Sequence, residues 1–233
     1  MQRYFLVGLT AVIAGCSPVG GSTGTTTRDF ATSSFDTVRV GGADTVRIVR
    51  GPTASVVATG PSAELDRLDI TTGGTVLNIG RKPTTGMNWS SSKVVVTVTT
   101  PVLRAVEASG AGDIAIDRAD GPVFEASVSG SADMQIAEIR AAATKLRVSG
   151  SGNLAARGAT TTLAAEVSGS GSIDAKALTS DTASIAVRGS GSVDAVARRS
   201  ASINVGGSGN AAVAGTRQCA ISKSGSGRAR CTG

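Results

Sequence analysis

Four aspartates are the residues whose type and spacing come nearest to chemistry. Asp113 and Asp133 occupy the same point of a repeated phrase, and Asp174 and Asp194 share another. If each phrase is one coil of a stacked sheet, the two carboxylates of a pair lie about 5 Å apart on neighbouring strands. That separation matches a retaining glycosidase, or part of a calcium site. A turn residue that satisfies nearby backbone groups accounts equally well for Asp113 and Asp133 and for the Asn153 and Asn210 that replace them. Turn chemistry is therefore the expectation, and no catalytic or metal-binding residue is assigned. Ser90-Ser91-Ser92-Lys93 has the form S-x-x-K, but that motif needs a helix and Ser-Asp-Asn and Lys-Thr-Gly partners, which the chain lacks. The chain has no His, which removes Ser–His and Cys–His catalysis, His-ligated zinc and two-His-carboxylate iron. Its Gly-Ser-Gly phrases are not phosphate loops, since no Gly-Lys-Ser/Thr follows them. No cofactor is predicted.

The elements that position these residues follow from composition and period. The 233 residues include 31 Gly, and only 3% are aromatic. A core must then come from Val, Ile, Leu and Ala, which favours thin architectures over one bulky globule. From Ala108 onward one phrase recurs: Ala108-Ser-Gly-Ala-Gly-Asp-Ile, Val128-Ser-Gly-Ser-Ala-Asp-Met, Val148-Ser-Gly-Ser-Gly-Asn-Leu, and four further copies. Its leading glycines stand at 110, 130, 150, 169, 189, 207 and 225, in steps of 18 to 20 residues. So steady a period is the mark of a repeat architecture.

Period-two alternation flanks each phrase, as at Leu146/Val148 before it and Leu154/Ala156 after it, which is strand spacing. Coil stacked on coil, Ala108, Val128, Val148, Val167, Val187 and Val205 form one inward ladder. Ile114, Met134, Leu154, Ile173 and Val193 form another. The predicted fold is an all-β, right-handed parallel β-helix (solenoid) with coils of about 18–20 residues. A propeller is disfavoured because blades need about 40 residues. The stacked serines, Ser131 to Ser226, are expected to hydrogen-bond along a corner or to water. Residues 35–106 alternate without the phrase, as at Val38/Val40 and Val94/Val96/Val98, and are predicted to continue or cap the solenoid. Residues 107–233 are its Gly-Ser-Gly coils.

The N-terminus reads as a lipoprotein signal peptide over residues 1–15. One positive charge precedes an apolar run from Phe5 to Ala14, too short to span a bilayer as a helix. Ile13-Ala14-Gly15-Cys16 resembles the bacterial lipobox, which implies cleavage before Cys16 and lipidation there. Acyl chains contribute roughly 0.8 kcal/mol per buried CH₂, so several together anchor a protein stably. Residues 16–34, rich in Gly, Ser and Thr, read as the lipidated Cys and a flexible tether. Cys219 and Cys231 remain to pair in an oxidising compartment. Localisation is expected to be the cell envelope, lipid-anchored, at the outer membrane.

Two regions are candidates for ligand contact. After Asp194 come six basic residues, Arg198, Arg199, Arg217, Lys223, Arg228 and Arg230, and no acidic one. Arg228 and Arg230 lie in the last coil. Nucleic acid is not an expected partner, since interleaved aromatics are missing and the compartment is wrong. Solvated end-capping is the simpler role for this charge, and contact with anionic envelope polymer is the functional one. Trp89, the only tryptophan, sits in the long loop Arg81 to Lys93. It would either fold over a solenoid edge or stack on a sugar ring.

Phe35 to Gly233 resembles the putative auto-transporter adhesin head GIN domain family. The resemblance rests on Val46-x-Ile48-x-x-Gly51, Leu77-x-Ile79, the approach from Val94 to Pro101-x-Leu103, and the phrase Ser109-Gly-Ala-Gly-Asp113 with its successors. It implies a β-helical envelope protein, and carries over no catalytic residue. The expected function is a non-catalytic, membrane-anchored display of a β-helix for adhesion or envelope-polysaccharide interaction. A structural spacer, or a polysaccharide-active β-helix enzyme, are the alternatives. The enzyme is disfavoured because coils of nearly constant length leave no walls for a deep cleft.

Overall fold

The computed structural model describes residues 24–83 and 94–233. These form a β-solenoid of about six turns. Its regular half consists of β9 (Asp113–Gly130), β10 (Asp133–Gly150), β11 (Asn153–Gly169), β12 (Ser172–Gly189) and β13 (Ser192–Gly207), each a strand that bends around the coil. Every neighbouring pair is parallel and in register. Both predicted ladders are present: Ala108, Val128, Val148, Val167, Val187 and Val205 are paired in sequence and buried on wall A. Ile114, Met134, Leu154, Ile173 and Val193 are paired and buried on wall B. Each such aliphatic contributes roughly 1.5–3 kcal/mol by leaving water, so the ladders carry much of the fold.

A third wall, C, lies between B and A. It is built from residues such as 118–121 and 138–142, and its inward positions are Ala119, Ile139, Leu178 and Ala197. All register shifts of the regular coils fall on or beside this wall, between Ile136 and Ile139, Ala155 and Arg157, and Ala175 and Thr182. Wall C therefore absorbs the variation in coil length, while the glycine phrase keeps A and B aligned.

The N-terminal half continues the solenoid but stacks out of chain order. Strands β2 (Thr37–Gly42) and β3 (Thr45–Arg50) form one coil, inserted between β6 (Val76–Arg81) with β7 (Val95–Thr100) on one side and β8 (Ala105–Gly110) with β9 on the other. The end is closed by antiparallel pairing: β4 (Ser55–Pro61) on β7, β1 (Thr25–Phe30) on β4, and β5 (Leu68–Gly73) on β6. A four-residue helix, α1 (Ser62–Leu65), places Leu65 in the core with no exposed surface. The folded unit thus begins by Thr25, earlier than the Phe35 boundary read from alternation. Thr25-Thr-Thr-Arg-Asp-Phe30 is strand rather than tether, and Phe30 packs against the core.

At the other end β14 (Asn210–Ala214) and β15 (Cys219–Ser224) stack on β13 as one coil, and β16 (Arg228–Thr232) stacks on β14. Cys219 and Cys231 are joined by a disulfide that ties β15 on wall A to β16 on wall B.

Candidate functional site

On wall B the outward side chains stand in columns fixed by the register. One column is Asp113, Asp133, Asn153, Ser172, Ser192, Asn210 and Arg228. Asn153 Nδ2 donates to Asp133 Oδ1 at 2.9 Å, and Ser172 Oγ donates to Asn153 Oδ1 at 2.6 Å. The Asp/Asn position therefore forms a side-chain ladder between coils, rather than the local turn bonds expected of it. Asp174 and Asp194 are also in register, and Lys176 Nζ sits 3.5 Å from each. Asp174 first, then Asp194, raises the Lys176 ammonium above its ordinary pKa. The lysine bridges the two carboxylates across neighbouring coils. Among the described residues no group of three or more His, Cys, Asp or Glu is placed to hold a metal.

The stacked serines use their backbones. Ser151, Ser170, Ser190 and Ser208 each donate N–H to the corner glycine carbonyl of the preceding coil at 2.8–3.0 Å.

The last coil gathers cations. Arg228 and Arg230 alternate on β16, so both point outward on wall B beside Asn210 and Ala212. With Asp194 they line a concavity of about 220 Å³. Lys223 takes the place of the inward valine, in register with Val205, and is exposed, since among the described residues β15 pairs only with β13. Of the six basic residues only Arg199 has an acidic partner among the described residues, Asp181 at 3.2 Å. Elsewhere on the surface cations are mostly paired, as in Arg39–Glu107, Lys145–Glu125 and Arg188–Glu166. The unpaired charge is thus concentrated at one end.

Cys16 and Trp89, with Ser90 to Lys93, lie outside the described residues. Sequence reading missed wall C altogether, and with it a concavity of about 420 Å³ between Arg140 and Arg198.

The solenoid is filled by its aliphatic ladders, and its unpaired cations gather at the β16 end. The chain belongs to the family described as "Putative auto-transporter adhesin, head GIN domain", whose model matches residues 34–217. No curated protein matches the sequence significantly. Among solved structures, a "putative adhesin" from Bacteroides fragilis is 19% identical, with 90% of this chain and 98% of that one covered at a TM-score of 0.81. A "putative lipid binding protein" from Parabacteroides distasonis is also 19% identical, covering 91% and 98% at a TM-score of 0.74. A "putative adhesin" from Parabacteroides merdae is 18% identical, covering 91% and 97% at a TM-score of 0.67. At these identities the likeness is one of fold.

Proposed function

We propose that this protein is a lipid-anchored envelope protein that displays its solenoid for adhesion or envelope-polysaccharide contact, without catalysis. The observation that supports this reading is the gathering of unpaired charge at the end of the strand order opposite β1, the first described strand after Cys16. Cys16 precedes β1 by nine residues. Strands β1 and β16 stand at opposite ends of the wall B order, ten strand positions apart, or about 48 Å at ~4.8 Å each. A lipid at Cys16 holds the antiparallel cap toward the membrane and presents the basic coil away from it. No described helix is long and apolar enough to cross a membrane, so in this reading attachment rests on the lipid. The family's adhesin description agrees with a displayed surface.

Cys16→Ser is expected to move the protein from the membrane to the soluble fraction on fractionation. Persistence in the membrane would sink the anchor. The released Cys16→Ser protein then serves for binding to isolated lipopolysaccharide, peptidoglycan and envelope polysaccharide at low and high salt. Arg228→Gln with Arg230→Gln is expected to weaken binding at least tenfold and to flatten its salt dependence. Binding that resists salt and is lost with Trp89→Ala would transfer the role to the tryptophan. Binding to none of the three polymers would overturn the polysaccharide reading in favour of a spacer.

A further inference from the structure

The concavity on wall C has a structural cause that sets its shape. The coil of β11 runs from Gly150 to Gly169, one residue shorter than the coils on either side. The deficit falls after Ala156: β10 places Ala137 and Glu138 where β11 has Arg157 alone. Gly158 pairs with Ile139 and Leu178, so a glycine holds the position its neighbours fill with large aliphatics. A Cβ at Gly158 would lie 2.2 Å from the Ile139 carbonyl oxygen, so only glycine lets the short coil draw in. The wall is thereby indented along β11.

Short side chains keep the indentation open. Ala159 and Thr179 follow Arg140 in one outward column, and Thr161 and Asp181 follow Ala142 in the next. Arg198, on β13, closes the far end. The trough so formed crosses four strands, roughly 14 Å at ~4.8 Å per step, with a volume of about 420 Å³. That is within the range of small-ligand sites, and its long axis follows the solenoid.

Its polar groups are not equivalent. Glu138 grips Arg140 at 2.5 Å and Arg118 at 2.7 Å. The Arg140 hydrogen bond in particular holds the Glu138 carboxyl below the usual range. A carboxyl held low keeps its charge through neutral pH and gives it up only as pH falls through that lowered value. Arg140 is therefore committed at the head of the trough. Arg199 occupies Asp181. Arg198 has no acidic partner among the described residues, and it lines the same trough as Thr161 and Thr179. One free guanidinium recognises a carboxylate through paired N–H donors, while threonine hydroxyls hydrogen-bond sugar hydroxyls.

We infer that the wall C trough binds a carboxylate-bearing saccharide of two to three units, laid along the solenoid with its carboxylate on Arg198. This rests on the display reading only in that the protein must meet envelope saccharide. It uses a different wall from Arg228 and Arg230, so the two fail separately. The test is calorimetric titration of the Cys16→Ser protein with a galacturonate trimer, and with a neutral maltotriose of the same length. The uronate trimer is expected to bind at least tenfold more tightly than maltotriose. Arg198→Gln should erase that preference. Ala159→Leu, which fills the trough without changing charge, should abolish binding of both while leaving the thermal transition in place. Arg228→Gln with Arg230→Gln should leave uronate affinity within twofold. Equal affinity for the two trimers, no binding of either, indifference to Ala159→Leu, or a uronate affinity that follows Arg228 and Arg230 would each overturn the assignment.

Discussion

Gly150→Ala is expected to cost the solenoid about 3 kcal/mol or more, a fall in Tm of roughly 6–12 °C for a domain of this size. Two effects combine at that corner. Gly150 has φ +129°, a backbone region that residues with a Cβ enter only at about 1–3 kcal/mol. The added Cβ would also lie 2.5 Å from the Gly130 carbonyl oxygen. That oxygen already accepts N–H bonds from Ser151 at 2.8 Å and Gly152 at 3.0 Å. The methyl cannot rotate away, so the coils must separate at the corner and weaken both bonds, each worth about 1 kcal/mol. The same arrangement recurs at Gly169, Gly189 and Gly207, all with positive φ. Gly152→Ala is the informative comparison. Its Cβ also meets a carbonyl, that of Ala132 at 2.3 Å, but its φ is not positive. Its column moreover already holds an alanine, Ala132, at 1% exposure. The drop at Gly152 should be smaller by at least about 1 kcal/mol, the strain of the left-handed corner. Circular dichroism melts of the two variants decide the matter. An equal or larger loss at Gly152 would show that close approach alone, and not corner conformation, fixes the register. Because coils touch only their neighbours, hydrogen exchange should accelerate first in β10 and β11.

Those corners are also why walls A and B were legible from sequence. The phrase recurs with its glycines in step, so the ladders from Ala108 to Val205 and from Ile114 to Val193 follow by alignment of the chain with itself. Wall C gives no comparable pattern. Its first inward position is filled in turn by Ala119, Ile139, Gly158 and Leu178, and its second by Ala141, Thr160 and Ser180, small or polar residues that do not read as an apolar alternation. It also takes up the length differences, so its positions drift against the phrase. The basic end was legible because Lys223 and Arg228 stand at positions of the phrase itself, whereas the trough depends on a missing residue and on Arg140 and Arg198, far apart in sequence. The out-of-order coil of β2 and β3 was not legible either. Nothing local in Thr37 to Arg50 distinguishes pairing with β6 from pairing only with β8. Strand β1 escaped notice because threonine served equally well as evidence for a tether and for an edge strand.

The second large effect is expected at the other end of the stack, where Arg81→Met should cost about 3 kcal/mol. Arg81 donates through Nε to Asp44 at 2.8 Å and through a terminal nitrogen to the same carboxylate at 2.6 Å, and it also pairs with Glu64. The Asp44 hydrogen bond contributes most to raising the guanidinium above its ordinary pKa. Asp44 and Glu64 retain only 5% and 10% of their side-chain exposure, and Arg81 retains 24%. Removing the guanidinium therefore strands the Asp44 carboxylate and leaves Glu64 with the longer Arg67 contact at 3.7 Å, and an uncompensated buried charge costs more than the pair ever contributed. The contact also organises the cap. Asp44 Oδ1 accepts the Val94 N–H at 3.1 Å, and Glu64 belongs to α1, so Arg81 ties the end of β6 to the helix and to the start of β7. Arg81→Lys keeps the charge but not the fork that engages both Asp44 oxygens, and should recover part of the loss. Adding Asp44→Asn and Glu64→Gln to Arg81→Met removes both carboxylate charges that faced the guanidinium and should recover more of it than Lys does. Urea denaturation ranks the four proteins. If the triple variant were no more stable than Arg81→Met, the penalty would lie in packing of the arginine stem, and the cap would depend on shape and not on charge.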